Sequence, residues 1–151
     1  MKKKILIVCI LAILLASISA VSADGFLDDH IKLGVTYNVP EGYTFEGTYS
    51  LSGSDPDSYS KGTKYLYESD TNPLDEIHVN IYELTNPLDT IDDIRQDIPA
   101  SAQKTTINGV DGYLETYPSQ VCFYYIQNGK LIILVAPDKA TVEDMVSPGI
   151  F

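Results

Sequence analysis

Val121-Cys122-Phe123-Tyr124-Tyr125-Ile126-Gln127 and Lys130-Leu131-Ile132-Ile133-Leu134-Val135-Ala136 flank Asn128-Gly129, and the reading of this stretch decides the fold. Asn-Gly tolerates positive φ at both central positions of a type I′ turn, so the two runs form a β-hairpin. Both arms are rich in aromatic and branched side chains and are apolar at successive positions, which implies strands covered on both faces. The covering layers must come from elsewhere in the chain.

Upstream, a weaker strand over residues 104–107 leads through Asn108-Gly109 to another over 112–115; Asp111-Gly112 is a second possible turn, so the register there stays open. Before it, Asn86-Pro87 has the form of an N-cap with proline at the first helical position, and Leu88, Ile91, Ile94 and Ile98 follow at helical spacing. A helix over 87–98, closed by Pro99, is predicted. Nearer the start, Ile31, Leu33, Val35, Tyr37 and Val39 alternate with Lys32, Gly34, Thr36 and Asn38, as in a strand with one buried face. Tyr43, Phe45, Gly47, Tyr49 and Leu51 repeat the alternation after Pro40-Glu41-Gly42, so these two strands are expected to pair as a hairpin. Residues 52–62 have loop composition, and strands follow over 64–68 and 76–84, the latter with Ile77, Val79 and Ile81 on one side. Downstream, residues 138–146 predict a short helix with Val142, Met145 and Val146 inward and Thr141 as its cap. The sequence therefore predicts an α+β fold, an antiparallel sheet of six to eight strands covered by two or more helices.

The N-terminal end reads differently. Lys2, Lys3 and Lys4 precede an apolar run over residues 5–16, and Val21-Ser22-Ala23 supplies the small side chains of a cleavage site, so 1–23 is expected to be a secretory signal. Ser17 and Ser19 interrupt the apolar stretch short of the roughly 20 residues a membrane span needs. Cys9 lies inside the apolar run and is no lipidation site. A single domain over 24–151, secreted or held at the cell surface and without a membrane span, is the expectation. Removing three lysines from ten basic residues leaves seven against 21 acids, a formal net charge of −14, which opposes binding to nucleic acid. Without Cys9, Cys122 has no cysteine to pair with and is expected to be reduced and buried. No Asn-x-Ser/Thr acceptor is present.

Val39-Pro40-Glu41-Gly42-Tyr43, Ile107-Asn108-Gly109-Val110-Asp111-Gly112-Tyr113 and Tyr124-Tyr125-Ile126-Gln127-Asn128-Gly129-Lys130-Leu131 resemble small secreted proteins of methanogenic archaea. More distantly they are similar to the fold group of the photosystem extrinsic protein PsbP and the LpqN lipoproteins. The resemblance implies an α/β/α sandwich around an antiparallel sheet. It transfers no active residue, because the shared motifs are turns and core strands.

Few residues carry recognisable chemistry. Nucleophilic hydrolysis needs Ser or Cys beside a base, yet His78 sits on the strand face opposite Ile77 and Val79 with no nucleophile motif near it. His30 follows Asp28 and Asp29 near the cleaved end, a weak start for a metal site. Asp89, Asp92, Asp93 and Asp97 fall on one side of the predicted helix, but a helix points carboxylates outward and offers no carbonyls to calcium. Residues 70–76 lack the glycine and distal glutamate of an EF-hand. Tyr59, in the polar loop, is a candidate exposed anchor. No catalytic, cofactor or metal residue is therefore assigned. The expected function is a non-enzymatic module that binds a protein, a cell-envelope polymer or a small ligand. An extracellular hydrolase using Asp111 and Glu115, which a spacing of four puts on one strand face, is the alternative.

Overall fold

The computed structural model describes residues 34–52 and 58–147. The expected signal segment 1–23, the start of the first predicted strand at 31–33, and His30 with Asp28 and Asp29 lie outside the described residues. The chain divides at Val35/Thr36 into two compact units, and every element below belongs to the second.

Among the described residues seven strands run β1 (Tyr43–Leu51), β2 (Tyr59–Ser69), β3 (Glu76–Leu84), β4 (Gln103–Ile107), β5 (Val110–Thr116), β6 (Val121–Gln127) and β7 (Lys130–Ala136). They form one sheet in the order β1-β2-β3-β7-β6-β5-β4, antiparallel at every pair. The β6–β7 hairpin has the predicted bounds, and Asn128 and Gly129 take φ of 50° and 70° as a type I′ turn requires. Asn108 and Gly109, at 50° and 81°, form the second such turn. Asp111 and Gly112 therefore belong to β5, and the open register resolves with Thr105 opposite Gly112.

One sheet face carries Tyr65, Tyr67, Ile77, Val79, Phe123, Tyr125, Ile132 and Leu134, all at most 3% exposed. The single α-helix among the described residues, α1 (Lys139–Met145), packs on β6 and β7 with Val142 and Met145 fully buried. Its cap is Asp138, whose carboxylate accepts from Thr141 N at 2.8 Å, so the helix starts two residues before the predicted Thr141 cap. Asn108 Nδ2 donates to the C-terminal carbonyls of Glu143 and Val146 at 2.7 and 3.0 Å, satisfying groups the helix leaves open.

The α+β sandwich with two or more helices is corrected by the opposite face. Residues 85–102 cover it as an irregular strap, with a single 3₁₀ turn at Arg95–Asp97 and no α-helix. The strap turns through i to i+3 bonds such as Asp93 N to Thr90 O and Ile98 N to Arg95 O. Its Asn, Asp and Thr residues compete for the backbone: Asp93 accepts from both N and Oγ1 of Thr90 at 2.8 and 2.7 Å, and Asn86 accepts from Leu88 N. Ile91, Ile94 and Ile98 are buried as their spacing suggested, against Leu84, Ala102, Tyr113 and Leu131, but Leu88 is 88% exposed. Successive tight turns reproduce part of a helical period without a helix.

Two further expectations change. Residues 34–39 form no strand; Tyr37 makes an isolated antiparallel bridge to Val146, and Asn38 N donates to Met145 O at 2.9 Å. β1 instead pairs with β2, with a bulge between Phe45 and Gly47. Tyr59 is not a loop anchor but the first residue of β2, half-buried with its ring centroid 5.0 Å from that of Tyr82.

Candidate functional site

The two Asn-Gly turns and the start of the strap meet at one end of the sheet. Between them lies an open cleft of about 630 Å³, lined by Asp89, Thr90, Ile91 and Asp92 of the strap, Lys104 of β4, Gly109 with the start of β5 at Val110 and Asp111, and residues 126–128. The turn geometry explains the arrangement: with Asn and Gly supplying positive φ, both hairpins stop at nearly the same level and leave the strap's first turns to form the third wall. Gly129 lies under Pro87, where an added Cβ would come within 3.0 Å of the proline ring.

Charge in the cleft is unbalanced. Asp92 accepts from Lys104 Nζ at 2.5 Å and from Tyr113 OH at 2.7 Å, and these donors hold its carboxyl below the usual range. Asp111 accepts a hydroxyl bond from Thr106 at 2.6 Å, and Asp89 accepts from Asn86 Nδ2 at 2.5 Å. Among the described residues neither Asp89 nor Asp111 has an ion-pair partner. The cleft lining thus carries three carboxylates, Asp89 half-buried and Asp92 and Asp111 exposed, against one lysine, which also feels the Asp111 charge.

Asp111 and Glu115 do share a face of β5, as the spacing required, but they serve different places. Glu115 stands outside the cleft and is only 6% exposed. Ser101 Oγ donates to its Oε1, Tyr117 OH to its Oε2 at 2.5 Å, and Tyr124 OH lies 3.4 Å from the same oxygen. Hydrogen bonds from Ser101 and then Tyr117 outweigh the cost of burial, so the carboxyl is held below its usual range. The same bond pushes the Tyr117 phenol up to about 12. A carboxylate surrounded by donors is a poor proton acceptor. The cluster orders hydroxyls around a charge, whereas a hydrolytic pair needs two carboxyls in one cavity with one of them raised.

The remaining candidates are placed as follows. Cys122, opposite Glu115 across β5–β6, is a free thiol, 5% exposed, and burial pushes its pKa up. His78 is half-buried on β3, with Nε2 2.8 Å from Glu76 Oε2 and, among the described residues, no serine or cysteine bonded to it. The strap aspartates do not converge: Asp93 turns back to Thr90, Asp92 reaches across to β4 and β5, and among the described residues no group of three His, Cys, Asp or Glu side chains is arranged to hold a metal ion. Also among the described residues, no helix is long and apolar enough to cross a membrane.

Sequence reasoning passed over Ser101, Lys104, Tyr117 and Tyr124. Ser101 and Glu115 are fourteen positions apart with a strap end and a hairpin between them, and no spacing rule links such positions. Comparison with protein-family models, curated proteins and solved structures gave no match.

Proposed function

We propose that this chain is a non-enzymatic binding module acting outside the cell or at its surface, and that its ligand carries amine or guanidinium groups that enter the cleft at Asp89 and Asp111. The observation that carries the reading is the excess of acid in the cleft lining, Asp89, Asp92 and Asp111 against the single Lys104, in a chain whose formal net charge is −11. Aspartates in a concave site raise the local concentration of cations and orient them through charge-assisted hydrogen bonds. A basic segment of a partner protein, or a cell-envelope polymer bearing amines, has the complementary chemistry. The secretory character of residues 1–23 and the resemblance to secreted archaeal proteins support the location.

Titration of the ¹⁵N-labelled protein with a tetralysine peptide, against tetraglutamate as control, tests the reading. Shift changes are expected at residues 89–92, 109–111 and 126–128 with tetralysine alone. Asp89→Asn combined with Asp111→Asn is expected to weaken binding about tenfold or more, as loss of two charge-assisted contacts implies. Shift changes spread over the whole acidic surface, or an affinity that ignores both substitutions, would count against the cleft.

A further inference from the structure

The strap is braced within itself, rests on the sheet through Ile91, Ile94 and Ile98, and is tied to it by two carboxylates. Its internal bracing is extensive. Arg95 Nη1 donates to the carbonyls of Ile98 and Pro99 at 2.9 and 3.1 Å, and Nη2 to those of Ala100 and Ala102, both at 3.3 Å. Thr90 with Asp93, and Asn86 with Asp89, close its first turns. Across to the sheet, Asp92 of the strap takes Lys104 of β4 and Tyr113 of β5, while Glu115 of β5 takes Ser101 of the strap. With both polar ties lost, such a segment is held only by the apolar contacts of Ile91, Ile94 and Ile98 and by Arg95 over the Tyr113 ring, and can loosen as one piece.

Both ties depend on ionised carboxylates facing donors. Asp92 meets Lys104 Nζ and Tyr113 OH, with Arg95 over the Tyr113 ring at 4.5 Å and Asp93 and Asp111 nearby. Glu115 meets the hydroxyls of Ser101, Tyr117 and Tyr124, with the Cys122 thiol beside it. Protonation would remove the ion pair with Lys104 and turn the charge-assisted bonds from Tyr113, Ser101, Tyr117 and Tyr124 into weaker neutral ones. We propose that the strap is an acid-released lid: neutralising Asp92 and Glu115 loosens residues 89–102 from a sheet that stays folded, and takes away one wall of the cleft.

The direction in pH follows from the folded-state values. Asp92, Asp93 and Glu115 are all lowered by their hydrogen-bond donors, so their stabilisation is complete above the ordinary carboxylate range and is lost as pH falls through the lowered values. Lys104, Tyr113, Tyr117, Tyr124 and Cys122 are all raised and keep their protons throughout. The motion is independent of what the cleft takes.

Hydrogen exchange of the intact protein, read by mass spectrometry or NMR at about pH 7 and about pH 3.5 and corrected for intrinsic rates, tests the lid. Acid is expected to lower protection of strap amides about tenfold or more while β6 and β7 hold theirs, the pattern of sub-global opening. Asp92→Asn with Glu115→Gln should produce the same loosening at neutral pH and flatten its pH dependence; if that pair fails to fold, the wild-type pH series decides alone. Simultaneous loss of protection in strap and central strands would overturn the proposal, as would unchanged strap protection in acid.

Discussion

Replacing Gly112 with alanine is expected to destabilise the fold by about 1–3 kcal/mol, and with valine by more, because the site is already full. A Cβ there would stand 2.4 Å from the Tyr124 carbonyl oxygen and 2.6 Å from the Phe123 ring. Neither neighbour can yield cheaply. The carbonyl belongs to β6, and the Phe123 ring is fully buried and stacked on Tyr125 with centroids 5.3 Å apart. Urea unfolding of Gly112→Ala, Phe123→Leu and the double variant checks the mechanism. The smaller side chain should restore part of the loss, giving a coupling energy of about 0.5 kcal/mol or more. Strict additivity would place the clash elsewhere.

Arg95→Ala should cost about 2–3 kcal/mol, since hydrogen bonds from a charged donor are among the strong ones and four carbonyls lose their partner together. The guanidinium also lies over the Tyr113 ring, which anchors the strap to β5. Lysine is expected to recover less than half of the loss, because one ammonium cannot span carbonyls from Ile98 to Ala102. Thermal melts of the three proteins measure this. A lysine variant as stable as wild type would mean that charge, not the planar fork, secures the strap.

Much of the sheet was legible because its signals are local. Asn128-Gly129 fixed one hairpin to the residue, and the alternation of Ile77, Val79 and Ile81 identified the buried face of β3. The strap was misread for a physical reason. Ile91, Ile94 and Ile98 are buried at spacings a helix would also give, while the decisive contest lay between backbone carbonyls and the side chains of Asn86, Thr90 and Asp93 for the same N–H groups. Helix propensity is low for those residues, and here the turn won. The alternation of residues 34–39 failed for another reason: period-two polarity signals a half-buried extended segment whether or not a ladder partner exists, and there only Tyr37 makes a bridge. At the candidate site, Asp111 and Glu115 were correctly placed on one face, but the donors that give each its character come from the strap, β4 and β6. Those contacts are set by topology and have no sequence spacing.

The most direct test of the account is the solution structure of residues 85–102, read from backbone chemical shifts together with contacts between methyl and aromatic protons. Turn-like shifts are predicted from Pro87 to Ile98 apart from the single 3₁₀ turn, with contacts from Ile94 and Ile98 to Tyr113, Tyr124 or Leu131. A continuous run of α-helical shifts over those residues, or the absence of such contacts, would contradict the strap and with it both the cleft and the lid.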